Sequence, residues 1–151
     1  MSHPALSVEG GLAADERPRR LAVRVPTRLD AIEAAVDVVA RHCLRGGLPA
    51  QRARFNLRVA LCEALANAIV YGNALNPDKW VDVEVTADDE HFLVRVADEG
   101  TGFDPAGVPE PHLPDDIECD SGRGLFLIRR LVDAVSFNDE GNAICMVLRR
   151  A

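Results

Sequence analysis

Basic charge is in short supply in this chain. Its 151 residues carry 17 Lys and Arg against 24 Asp and Glu, for a formal net charge of −7. A nucleic-acid binder needs a basic face to displace counterions from phosphate, so that class of partner is set aside. Paired cysteines are missing too. Cys43, Cys62, Cys119 and Cys145 form no C-x-x-C pair and have no histidine at ligand spacing, which argues against a zinc site. Cys62 and Cys145 lie in apolar segments, where cysteine behaves as a small hydrophobe. Reduced thiols fit a cytoplasmic protein. No run of about 18 apolar residues occurs and the first residues hold no apolar core, so neither a membrane span nor a signal peptide is expected. Repeats and low-complexity tracts are also lacking. What is left is ordinary for a globular domain: 48% hydrophobic and 27% charged residues, in a length that suits one core.

Met1 to Arg20 mix Pro, Gly, Ser and charge without a period and read as a mobile tail, so the domain is expected over residues 21–151. "LAVRV", Leu21 to Val25, alternates like a strand and meets Pro26. Thr27 and Asp30 have the spacing of a capping box. Ile32, Val36, Val39 and Leu44 then follow a helical period, which Gly46-Gly47 would stop. Pro49 opens the strongest helix signal, Ala50 to Tyr71, with Phe55, Val59, Cys62, Leu65, Ala66, Ile69 and Val70 at three- and four-residue spacing. "GNALNPDK" is a loop by composition. "WVDVEV" and "HFLVRV" read as an antiparallel hairpin around a solvated "DDE" turn.

Asp98 to Ser121 hold four prolines and little period, a length of loop that is usually functional or mobile. Gly122 to Asp133 turn helical again, with Leu125, Ile128, Leu131 and Val132 in one stripe, and a last hairpin closes the chain. That order implies an α/β two-layer sandwich, a mostly antiparallel sheet with helices on one face.

Three stretches carry chemistry. In "EALANAIVYGN", Glu63 and Asn67 are four apart and share a helical face at the edge of an apolar stripe. Exposure to solvent would explain them blandly. A carboxylate that takes a proton and an amide oxygen that holds a hard cation would explain them functionally. In "ADEGTGFDP", Asp98 ends a strand and Gly100 and Gly102 follow. This is either a plain turn or an acid that accepts from an exocyclic amine, with glycines that let a ligand approach backbone. In "SGRGLFLI", Gly122 and Gly124 sit where a helix starts, which offers free N–H groups to an anion, or merely a flexible entry capped by Ser121.

Taken together, E-x-x-x-N on a helix, D-x-G-x-G after a strand and G-x-G-L at a helix start resemble the ATP-binding superfamily of type II topoisomerases, histidine kinases, mismatch-repair ATPases and a heat-shock chaperone. The resemblance runs from about Leu21 to Arg150. The short format is most similar to the bacterial anti-sigma-factor serine kinases, with "ALCEALANAIVYGN", "VADEGTGFDP" and "GRGLFLIRRLVD" as the three boxes. It implies a Bergerat-type ATP-binding fold with ATP and Mg²⁺ as cofactors. Glu63 would be the general base for a serine hydroxyl, and Asn67 would hold Mg²⁺. Asp98 would receive the adenine amine, with Gly100 and Gly102 beside the ring. Gly122, Arg123, Gly124 and Leu125 would lie around the phosphates, and the stretch Asp104 to Asp120 would be a lid. Two positions depart from the family. Asp120, after Cys119, stands where a basic residue is common, which leaves Arg123 as the nearest guanidinium. Asn142, Ala143 and Ile144 stand where a threonine often helps around adenine.

The resemblance implies a protein serine kinase of a partner-switching pathway. It would phosphorylate a small anti-sigma-factor antagonist and bind a sigma factor or similar effector. The alternatives are a sequestering module that binds ATP without turnover, and a detached histidine-kinase catalytic domain. The first helix, Ala31 to Val39, could serve a homodimer or partner contact, or simply pack on the sheet. His3, His42, His91 and His112 have no partner at catalytic spacing, and Trp80 reads as core or sheet edge.

Overall fold

The computed structural model describes residues 6–9, 20–101 and 120–150, with side chains for all of these except 9 and 120–123. Among the described residues, six strands form one antiparallel sheet in the order β1-β2-β3-β4-β6-β5. The strands are β1 (Ser7–Glu9), β2 (Arg20–Pro26), β3 (Trp80–Ala87), β4 (His91–Ala97), β5 (Ala134–Phe137) and β6 (Ala143–Arg149). Alternation sets the two faces. Leu21, Val23, Val25, Val81, Val83, Val85, Phe92, Val94 and Val96 point to the core, while Arg24, Asp82, Thr86 and Arg95 face solvent. All three α-helices bury their apolar stripes in that same core: α1 (Ile32–Arg45), α2 (Arg58–Asn67) and α3 (Asp120–Leu131). The two-layer α/β sandwich implied by the sequence is the observed architecture.

Local sequence accounts for most element ends. Helix α1 stops in a Schellman turn: Gly47 takes φ 104, Gly47 N–H donates to Leu44 O at 3.2 Å, and Leu48 N–H donates to Cys43 O at 2.9 Å. Burial pushes the Cys43 thiol up to about 12, against the nearby Arg150 charge, so it is an inert core residue.

Four readings of the sequence change. Ser7–Glu9, inside the segment read as a tail, pairs antiparallel with β2 at Ser7–Arg24 through Glu9–Ala22; residues 1–5 and 10–19 lie outside the described residues. Thr27 is not a helix cap. It is 3% exposed, and its hydroxyl donates to Lys79 O at 2.5 Å across the fold. The long helix is regular only in α2, which is flanked by π-helical turns at Arg52–Leu57 and Ala68–Gly72. Its buried stripe is Leu57, Leu61, Leu65 and Ile69, with Ala60, Ala64 and Ala68 beside it, while Phe55 is 57% exposed. Apolar residues occupy more than half of this helix's circumference, so periodicity alone could not fix which stripe faces the sheet.

The end of this helix is strained. Ala74 and Leu75 both take left-handed backbone, at φ 52 and 59. That conformation costs an L-residue about 1–2 kcal/mol. Leu75 N–H reaches back to Ile69 O at 2.9 Å and closes the turn. Replacing Ala74 by glycine should relieve the strain against the extra entropy of the unfolded chain, for a net gain of about 0.5 kcal/mol in urea unfolding.

Candidate functional site

Residues from the three motifs come together in two groups. The first lies at the junction of α2 and α3. Glu63 and Asn67 are half-buried and share a face of the regular helix, as their spacing requires. Gly124 of α3 is packed against both. A Cβ there would stand 3.1 Å from Glu63 Oε2 and 3.3 Å from Asn67 Nδ2. Only glycine leaves that gap open. The far end of α3 is held in place: Asn56 Nδ2 donates to Leu131 O at 2.9 Å, and Arg52 pairs with Asp133 at 2.9 Å. Burial alone would raise the Asp133 pKa, but the Arg149 N–H and the Arg52 guanidinium hold it below the usual carboxylate value.

The second group is the turn after β4. Asp98 N–H donates to Asn142 O at 2.9 Å, and Asp98 Oδ1 accepts from Gly100 N–H at 2.8 Å. The helix end comes directly onto this turn. A Cβ at Gly72 would overlap the Asp98 carboxyl, and a Cβ at Gly100 would overlap the Gly72 carbonyl oxygen. On the other side, Asn142 Nδ2 points to Gly100 O at 3.4 Å, and Asn142 is itself held by Asn138 at 2.6 Å. Asn142, one of the three residues in the hairpin where the family resemblance leads one to expect a threonine, thus stands beside the acid turn.

Burial raises the Asp98 pKa, with the Gly100 N–H and the Lys79 charge opposing it. The carboxyl is therefore kept in a place that disfavours its own charge, which is a mark of functional sites more than of plain turns.

The structure thus brings together Glu63, Asn67 and Gly124 in one group, and Asp98 and Gly100 in the other. Leu125 follows Gly124, half-buried on α3. Gly122 and Arg123 lie in the first turns of α3, with their side-chain positions outside the described residues; Gly102 and the lid segment before Asp120 are outside them as well. Sequence reasoning passed over Gly72 and Asn73. Both stand in "YGN" at the helix end, where glycine and asparagine read as ordinary loop formers.

Among the described residues no cluster of three or more His, Cys, Asp or Glu could hold a metal ion. The donors present are the Glu63 carboxylate and the Asn67 amide oxygen beside Gly124. Hard oxygen donors in such small number suit Mg²⁺, which takes one or two protein ligands and completes its shell with phosphate and water.

The family model described as "histidine kinase-like ATPase domain" matches residues 25–148, and the chain belongs to that family. Among curated relatives, it is similar to "Serine-protein kinase RsbW" of Listeria monocytogenes serovar 1/2a, 33% identical over 98 residues, covering 60% of this chain and 62% of the relative. The protein of the same name from Oceanobacillus iheyensis is 29% identical over 98 residues, covering 61% and 62%. The match thus spans less than two thirds of either relative's length. Among the described residues no helix is long and apolar enough to cross a membrane.

Two expectations follow. Because the Asp98 pKa is raised on folding, its contribution to stability is full below the unfolded carboxylate value and is lost as pH rises through the folded one. Asp98→Asn should therefore melt at least as high as the wild type at neutral pH and lose that advantage in acid, as read by thermal melts across pH. The glycines should differ in kind. Gly100→Ala meets fixed backbone and should cost about 2 kcal/mol in denaturant unfolding. Gly124→Ala meets only the movable side-chain ends of Glu63 and Asn67, and should change stability by less than about 1 kcal/mol.

Proposed function

We propose that this chain is an ATP-dependent protein serine kinase and anti-sigma-type regulator in a partner-switching pathway. The observation that carries the reading is the meeting of the three boxes: Gly124 against Glu63 and Asn67, and Gly72 against Asp98 and Gly100. The family match and the serine-kinase relatives support the same reading. Its substrates are ATP and a serine of a small antagonist protein, its second partner is a sigma factor or similar effector, and it works in the cytoplasm. A homodimer fits the same scheme.

Each residue has a role in this reading. Asp98 accepts a hydrogen bond from the adenine amine, with Gly100 and Gly102 lying beside the ring. Gly122, Arg123, Gly124 and Leu125 set the start of α3 around the phosphates, where first-turn N–H groups and the helix dipole favour negative charge. Asn67 provides an oxygen ligand for Mg²⁺, which neutralises phosphate charge when bound. Glu63 takes the serine hydroxyl proton as the serine oxygen bonds to the γ-phosphorus and the bond to ADP breaks. A carboxylate one turn from the metal ligand is placed for that task, and phosphoryl transfer asks the protein mainly for positioning and charge neutralisation.

The test is transfer of labelled γ-phosphate to a serine-bearing antagonist protein of the partner-switching type. Glu63→Gln should retain ATP binding and lose transfer by a factor on the order of 10² or more, the usual scale for a general base. Wild-type binding of ATP without any transfer would instead favour a sequestering module. Full transfer by Glu63→Gln would remove Glu63 from the base role.

A further inference from the structure

Asn73 is among the most deeply buried polar side chains described, at 1% exposure. A buried amide is costly unless its hydrogen bonds are made, and each of Asn73's bonds reaches a different part of the chain. Nδ2 donates to Thr27 Oγ1 and to Trp80 O, both at 3.0 Å. Oδ1 accepts from Glu99 N–H at 2.8 Å. Glu99 lies between Asp98 and Gly100, so this last bond holds the middle of the acid turn.

The surroundings fix Asn73 in turn. Its own N–H donates to Ala68 O at 2.7 Å, the bond that closes the terminal π-turn. The strained pair Ala74 and Leu75 follows at once. Thr27 Oγ1, which receives the amide, donates onward to Lys79 O at 2.5 Å. Glu99 Oε2 accepts from Trp80 N–H at 2.5 Å, which ties the same turn to the start of β3. One side chain thus joins the end of the α2 helix, the loop before α1, the start of β3 and the turn after β4.

We propose that Asn73 is a positioning residue for base recognition. It clamps the Asp98–Gly100 turn against the helix end and so fixes the direction in which the Asp98 carboxyl faces a bound base. The inference rests on the reading of Asp98 as the acceptor for adenine. Asn73, at 1% exposure, acts through the turn and not by contact with the base. Strain at Ala74 and Leu75 fits this role, since backbone held in a sparsely populated region persists only where its surroundings over-determine it. A purely structural amide would support the fold but would not alter which base is preferred.

The experiment titrates wild type, Asn73→Ala and Thr27→Val with ATP and with inosine triphosphate, each with Mg²⁺, and records a melting curve for each protein. Inosine carries a carbonyl where adenine carries the amine, so it cannot donate to Asp98 there. Asn73→Ala should weaken ATP roughly tenfold and inosine triphosphate by no more than about twofold, the scale of one well-placed buried hydrogen bond. Thr27→Val keeps Asn73 but removes one of its partners. It should shift the preference in the same direction by about threefold, and it carries the test if Asn73→Ala does not fold. In an Asp98→Asn background, Asn73→Ala should leave the ratio of the two affinities unchanged. Parallel losses for both nucleotides, or a lower melting point with the ATP preference intact, would overturn the inference alone. A wild type that binds neither nucleotide would overturn the nucleotide reading and the inference with it.

Discussion

At Gly72 the helical segment that follows α2 ends against the Asp98–Gly100 turn, with the Asp98 carboxyl in the space a Cβ of Gly72 would need and the Gly72 carbonyl oxygen against Gly100. The rest of the site depends on this approach of backbone to backbone. It sets the helix bearing Glu63 and Asn67 beside the strand end bearing Asp98. Ile69 and Leu65 of the same helical segment are buried in one core with the inward valines of β3 and β4. The segment ends here in the π-turn Ala68–Gly72, closed by the Asn73 N–H on Ala68 O, and the Gly72 carbonyl lies against Gly100.

The same region carries costs that a turn of no function would have no reason to keep. Asp98 sits where burial disfavours its charge. Ala74 and Leu75 hold left-handed backbone without being glycine. Asn73 is a buried amide whose bonds are made to Thr27, Trp80 and Glu99. In the sheet, valine and leucine alternate inward and charge outward. These three departures stand together at the junction of helix end and acid turn, which is the pattern expected where stability has been exchanged for a site.

Much of this was legible in residue pattern alone. Strand alternation in β2, β3 and β4 placed the sheet, and the Gly46-Gly47 pair placed the end of α1, because both signals act through neighbours in sequence. Glu63 and Asn67 could be put on one face because four residues make about one helical turn. What was not legible depended on long-range contact. In the long helix Leu65 and Ile69 were placed in the core stripe but Leu57 and Leu61 were missed, because apolar residues surround most of that helix. Thr27 has the spacing of a cap, yet it is used across the sheet by Lys79 and Asn73. The short strand Ser7–Glu9 has too few residues to show a period, and pairing with β2 alone defines it. Gly72 and Asn73 looked like loop residues because only the fold reveals what stands opposite them.

The most direct test of the central claim is a crystal structure of the chain with a non-hydrolysable ATP analogue and Mg²⁺. The account predicts the adenine amine within hydrogen-bond reach of the Asp98 carboxyl, with the phosphates between the start of α3 and Asn67. A base bound elsewhere, or a nucleotide that leaves Asp98 without a ligand partner, would contradict it.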